Sequence, residues 1–301
     1  MQAKLMHEAQ EPFVPYIDDN PDGPILLGVQ CIPMPTALAH IYTDEGFAIG
    51  ADGLGTTRGL ETQPENEQKI FHLHGKDREA ACTFAGMVRL FNDSRDRVAF
   101  DFISEWKKAT KQLEDTSIGD AAYLAEQICE LVLAELGAAR KAADFTQLFG
   151  WQEHLWVCVD GYFRRKPSRA VVEFYHINLE SHWRPNNASR SDLNFHPVLL
   201  FGLDKISQVL FEWEDDLRLA KYRTDACKRV AARCRNPNAP LTLSDAIEAA
   251  QNYIKACIDP IAEEIEQDTY RKIGGRIHVA SITPGDGFQW VPGREPLEER
   301  T

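Results

Sequence analysis

Four residues stand at the ends of short apolar runs and carry the groups that nucleophilic acyl chemistry draws on: a hydroxyl, a carboxylate, an ammonium and a glycine amide. Thr36 immediately precedes Ala37-Leu38-Ala39-His40-Ile41-Tyr42, and Asp52 ends the run Phe47-Ala48-Ile49-Gly50-Ala51. Lys69 opens Ile70-Phe71-His72-Leu73, and Gly86 ends Ala80-Ala81-Cys82-Thr83-Phe84-Ala85. A hydroxyl is a weak nucleophile and works only with a base beside it. Taken singly, each residue also has a plain reading: a threonine at a strand start, an aspartate capping a turn before Gly53, a surface lysine. Cys31, in Val29-Gln30-Cys31-Ile32, is an alternative nucleophile. His72, His74, His154, His176, His182 and His196 form no HExxH or similar spacing, so no metal site is expected. Asp52-Gly53-Leu54-Gly55-Thr56 is too short for a phosphate-cradling loop and opens no helix.

Elements that would hold these residues follow from the runs and their turns. Asp44-Glu45-Gly46 and Gly75-Lys76-Asp77 are turn signals, so residues 37 to 85 read as two successive β-hairpins. After Gly86 the residues Val88, Leu90, Phe91, Val98, Phe102, Ile103 and Trp106 recur at helical spacing. A second helix starts near Ser117 or Asp120 and carries Ala122, Leu124, Ile128, Leu131, Val132 and Leu136. Strands return at 154–159, 170–175 and 197–202, with a basic loop at Arg164-Arg165-Lys166. Two more helices are expected, one over about 204 to 234 and one from Leu241 to about Gln267, capped by Thr242 or Ser244. A closing hairpin turns at Pro284-Gly285-Asp286, and the polar tail beyond it is expected to be loose. Strand blocks and helix blocks segregate rather than alternate, which suits two stacked sheets between helix pairs.

The 301 residues are enough for one sizeable core. A net charge of −13 argues against a nucleic-acid partner and against anionic membranes. No apolar stretch is long enough to span a bilayer, and the first residues, rich in Pro and Asp, show no secretory pattern. Seven scattered cysteines without a CxxC fit reduced thiols in a cytoplasmic protein.

In this order the elements resemble the β-type subunits of the proteasome family. The matching features are a threonine-led strand (Thr36-Ala37-Leu38-Ala39), a glycine turn (Gly46), Ala51-Asp52, Lys69-Ile70 and Ala85-Gly86. The far end is similar too, in the helix Leu243-Ser244-Asp245-Ala246-Ile247-Glu248-Ala249-Ala250 and in Gly274-Gly275-Arg276-Ile277-His278-Val279-Ala280-Ser281-Ile282. The resemblance implies an α+β, four-layer αββα sandwich of the N-terminal-nucleophile (Ntn) hydrolase type. It would span 36–292, after a leader or propeptide-like extension at 1–35 and before the tail at 293–301. It implies a threonine-type peptidase or amidase acting on peptide or protein substrates, without a cofactor and assembled as a homo-oligomeric ring. In that reading Thr36 is the nucleophile, exposed by removal of the leader, with its own α-amine as base. Asp52 orients Lys69, Lys69 tunes the hydroxyl, and the Gly86 amide donates to the oxyanion. Thr56 lines the substrate groove and pairs with a peptide backbone, and Asp268 supports the threonine.

Pro35 stands before Thr36 where the family's self-cleaving subunits carry glycine. Phe201-Gly202-Leu203-Asp204 lacks the family's serine, and Arg271-Lys272-Ile273 replaces a small serine-containing segment. Counting from Leu38-Ala39 rather than from Asp52 would set the nucleophile position on Pro35. The other function implied is therefore a non-catalytic subunit that keeps its N-terminal extension.

Overall fold

The computed structural model describes residues 29–33, 36–54, 67–86, 88–91, 98–142, 155–177, 180–188, 190–211, 216–266 and 273–297. Its strands are β1 (Val29–Pro33), β2 (Leu38–Tyr42), β3 (Phe47–Asp52), β4 (Ile70–Gly75), β5 (Arg78–Gly86), β6 (Arg89–Phe91), β7 (Val98–Asp101), β8 (Leu155–Phe163), β9 (Lys166–Ile177), β10 (Glu180–Ala188), β11 (Val198–Gly202), β12 (Ile277–Thr283) and β13 (Gly287–Trp290). Its helices are α1 (Phe102–Gln112), α2 (Ala121–Ala142), α3 (Arg190–Phe195), α4 (Asp204–Phe211), α5 (Asp225–Arg235), α6 (Leu243–Ile258) and α7 (Ile261–Glu266). The fold is α+β. One sheet has the order β1-β11-β2-β3-β12-β13 and the other β10-β9-β8-β5-β4, all antiparallel except β1 with β11. β6 and β7 form a small pair of their own.

Three apolar clusters account for the burial. Leu38, Phe47, Ile49, Phe201 and Ala280 of the first sheet pack with Ile70, Ala81, Ala85, Cys158 and Val171 of the second. The other side of the first sheet packs on α4, α5, α6 and α7 through Leu200, Ile206, Val230, Tyr253 and Ile265. The other side of the second sheet packs on α1 and α2 through Phe84, Trp106, Leu124, Ile128 and Val159. Alternation along each strand is what lets both faces be apolar here: Phe47, Ile49 and Ala51 face one cluster while Ala48 faces another.

Both hairpins lie where the turn residues place them. Leu38 pairs with Ala51 and Tyr42 with Phe47 across β2–β3, and Ile70 pairs with Thr83 across β4–β5. Gly46 is required by proximity, because a Cβ there would come within 2.4 Å of the Ile282 carbonyl oxygen on β12. α2 begins after Asp120, whose carboxylate accepts the Tyr123 amide at 2.8 Å. α6 begins after Thr242, which exchanges hydrogen bonds with Asp245 in a capping box.

Several expectations are corrected. The described residues ahead of Phe102 are not helical: Arg89–Phe91 and Val98–Asp101 pair as β6–β7, and Arg89 bridges Asp101 at 3.1 Å across the pair. The helix starts only at Phe102, where Asp101 accepts the Ser104 amide at 3.0 Å. The helix expected over 204 to 234 is three pieces, α4, a 3₁₀ turn at Leu217–Tyr222, and α5, with Asp216 and Thr224 as new starts. The last long helix breaks between α6 and α7 at Asp259-Pro260. Proline lacks an N–H and forces the residue before it out of the helical region, and Asp259 is extended at φ −60°, ψ 133°. β10 was not anticipated at all. It is an edge strand, where a proline such as Pro185 is tolerated. The start of the tail is tied down rather than loose: Val279 N–H donates to the Arg294 carbonyl at 3.1 Å, and Arg276 Nε to that of Glu295.

Candidate functional site

The β2–β3 register sets Ala37 opposite Asp52, since Leu38 faces Ala51. Asp52 N–H donates to the Ala37 carbonyl at 3.0 Å, and Ala37 N–H donates to Asp52 Oδ1 at 2.9 Å. The peptide joining Thr36 to Ala37 is thus held by the carboxylate. Lys69, just ahead of β4, donates from Nζ to the same Oδ1 at 2.8 Å. The second oxygen, Oδ2, accepts the Leu54 and Gly274 amides at 3.4 Å each. Asp52 is fully buried and both Lys69 and Thr36 are nearly so. A carboxylate and an ammonium out of water survive only with such complete pairing. Gly274 belongs to the Gly-Gly turn before β12, so the two ends of the domain meet at this one side chain.

A second close approach shapes the same corner. β1 runs parallel to β11, with Pro33 opposite Gly202, and β2 runs antiparallel on the other side, with Leu38 opposite Phe201. The chain therefore passes around the end of β11 between Pro33 and Leu38, and Thr36 lies on that crossover. Gly202 has φ +142°. A Cβ there would lie 2.7 Å from the Tyr253 hydroxyl and 3.4 Å from the Thr36 carbonyl oxygen. Glycine is needed on both counts, backbone conformation and space. Tyr253, from α6, donates its hydroxyl to the Phe201 carbonyl at 3.3 Å.

Of the expected site residues, Asp52 and Lys69 are brought together with the Thr36–Ala37 peptide. Gly86 ends β5 in the other sheet at φ 105°, paired with Leu155, and makes none of the Asp52 bonds above. Thr56 and Asp268 lie outside the described residues, as does the side chain of Cys31. The other six cysteines are buried, and none of them is in a disulfide. Burial pushes the Cys82, Cys129 and Cys158 thiols above their ordinary value, so they are held protonated and inert.

Two groups escaped the sequence reading. His278 of β12 sits opposite Ala51, fully buried. Burial first, then the positive charges of Arg276 and Lys69, lower its pKa to about 4. The imidazole near Lys69 is therefore neutral at pH 7. Between the sheets, His40 Nδ1 meets Asp160 Oδ2 at 2.7 Å and His40 Nε2 meets Thr83 Oγ1 at 2.9 Å. Arg169 grips Asp160 through Nε at 2.7 Å and through a second nitrogen at 3.3 Å. Burial lowers the His40 pKa against the pull of Asp160, because Arg169 already balances that carboxylate. A neutral His40 then donates from Nδ1 to Asp160 and accepts the Thr83 hydroxyl at Nε2. The array has the residue types of a hydroxyl–imidazole–carboxylate relay, but every member is shut away from solvent. It joins β2, β5, β8 and β9 across the interface.

These imidazoles make the fold acid-sensitive. The unfolded chain binds protons at His278 below about 6.5 while the folded chain does so only below about 4. Stability is therefore complete above pH 6.5 and falls as pH drops toward 4, by about 3 kcal/mol from His278 alone. His40 adds in the same direction. Urea unfolding at pH 7.5 and pH 5 should show about 2 kcal/mol of this loss, and His278→Gln should reduce it.

No protein-family model matches the chain, and no curated protein matches it. One similar solved structure is an Anbu (Gly-1) mutant from Hyphomicrobium sp. strain MC1, with 13% identity, a TM-score of 0.47, and coverage of 86% of this chain and 88% of that chain. Among the described residues no helix is long and apolar enough to cross a membrane.

Proposed function

We propose that the chain is a proteasome-like Ntn hydrolase, a four-layer αββα sandwich whose Thr36 hydroxyl cleaves amide bonds in peptides once the residues before it are removed. The observation that carries this reading is the Asp52 carboxylate, which binds the Lys69 ammonium and the amide of the Thr36–Ala37 peptide through the same oxygen. A lysine cation pinned beside a strand-leading threonine supplies the charge that favours an alkoxide, and the freed α-amine supplies the base. Gly86 donates to the oxyanion, Thr56 aligns the substrate backbone, and Asp268 supports the threonine. The three apolar clusters support the layer order, and the helices on the outer sides offer the faces for packing copies into a ring.

The second reading, a non-catalytic subunit that keeps its extension, is favoured by β1. Residues 29–33, inside the segment that must be removed, form a paired strand of the sheet beside the site. Unprocessed, Thr36 carries an amide instead of an amine and has no base of its own. Intact-mass analysis of the purified chain separates the two. A species beginning at Thr36, absent from a Thr36→Ala variant, is the expected result. A stable species that retains the residues before Thr36 under assembly conditions would overturn the hydrolase reading in favour of the second.

A further inference from the structure

His72 and His74 alternate along β4 with the buried Phe71 and Leu73, so both imidazoles stand exposed on one side of the strand. Glu79 on β5 pairs directly with His74, and its carboxylate spans the two rings. His72 Nε2 lies 2.9 Å from Oε2, and His74 Nδ1 lies 2.8 Å from Oε1. The three ligand atoms lie within 4.8 Å of one another.

The surroundings hold this set in place. The His72 ring stacks on Phe288 of β13, with centroids 4.7 Å apart and planes 11° apart. A Cβ at Gly287 would approach Glu79 Oε2 to 3.2 Å, so a residue without a side chain passes over the carboxylate. Two imidazole nitrogens and one carboxylate oxygen, converging on a rigid strand pair, are the donor set that borderline divalent metals prefer, and they leave a coordination position open. Hard cations such as calcium seek more oxygen ligands than this set offers.

We propose that His72, His74 and Glu79 form a binding site for a divalent transition metal of the zinc and copper class. A motif search misses it because the third ligand comes from the partner strand, at a cross-strand position, rather than from a fixed interval along a helix. The site lies away from the Asp52 cluster in bonding, so it stands or falls independently of the hydrolase reading.

The test is equilibrium dialysis of the full chain against Zn²⁺, followed by metal analysis, with Cu²⁺ electron paramagnetic resonance as a second readout. One retained zinc per chain is expected, and a copper spectrum with nitrogen hyperfine structure. The His72→Ala/His74→Ala double variant should lose at least about 10-fold in affinity, as should the near-isosteric Glu79→Gln. These side chains are exposed or half-buried, so the metal-free variants should keep the parent circular dichroism. Loss of affinity in Glu79→Gln alone suffices if the double variant does not fold. Failure of the parent to retain zinc, or equal retention by the parent and Glu79→Gln, would overturn the proposal.

Discussion

Asp52→Ala is expected to be the most damaging single substitution at the Thr36 corner, costing about 3–5 kcal/mol. Removing the carboxylate strands a buried Lys69 ammonium and the amides of Ala37, Leu54 and Gly274 together. Against a usual total of about 5–15 kcal/mol, that loss takes the chain close to unfolding. Lys69→Ala should cost less, about 1–3 kcal/mol, because the carboxylate left behind still accepts three backbone N–H groups. Urea midpoints for the two variants give the ranking directly. If Lys69→Ala proved the more destabilising, the ammonium rather than the carboxylate would be the hub of the corner. Under the proposed function both variants should also lose amide cleavage by about 10²–10³-fold, since each removes the charge that favours the attacking oxygen.

The second large effect is expected between the sheets. Asp160→Ala should cost about 3–5 kcal/mol, because it leaves the Arg169 guanidinium, fully enclosed, without its counter-charge. His40 would lose its acceptor at the same time. The paired change Asp160→Leu with Arg169→Met should be less harmful than Asp160→Ala alone, since apolar groups of similar size can replace a complete buried ion pair at little cost. A double-mutant cycle measured by denaturant unfolding gives the coupling. Additive losses would mean that the two groups act independently despite the 2.7 Å contact. Thr83→Val tests the outer end of the array and should cost about 1 kcal/mol, the worth of one hydrogen bond.

Local signals carried the first half of the fold. Alternation and turn residues placed β2 to β5, and the order of Thr36, Asp52 and Lys69 along them foreshadowed the contact now seen at Oδ1. Asp120 and Thr242 worked as helix starts because a cap is a matter of three or four neighbouring residues. Long-range partners were not legible. His40 and Asp160 are separated by 120 positions, and nothing in either neighbourhood announces the other. His278 looked like one more residue in an apolar strand; its lowered pKa arises from burial, from its sequence neighbour Arg276 and from Lys69, which only the fold brings near. β6 and β7 deceived because three or four apolar residues fit a helix as well as a strand, and the cross-pair contact of Arg89 with Asp101 decides between them. β1 was invisible for a related reason. Its only described strand partner is β11, nearly 170 positions later.

That strand also governs what cutting the chain would leave behind. β1 clasps the outer side of β11 through five residue pairs, and the crossover at Thr36 is its only covalent link to the domain. A break ahead of Thr36 leaves that clasp on a separate 35-residue segment, whose described pairing is this one five-residue ladder, too short on its own to stay paired in water. Its departure would bare the backbone of Val198–Gly202 as a new sheet margin, next to the freshly exposed threonine. Uncovered margins of this kind recruit extended chains. Under the proposed function, processing would thus open a docking rail and release a nucleophile in one event.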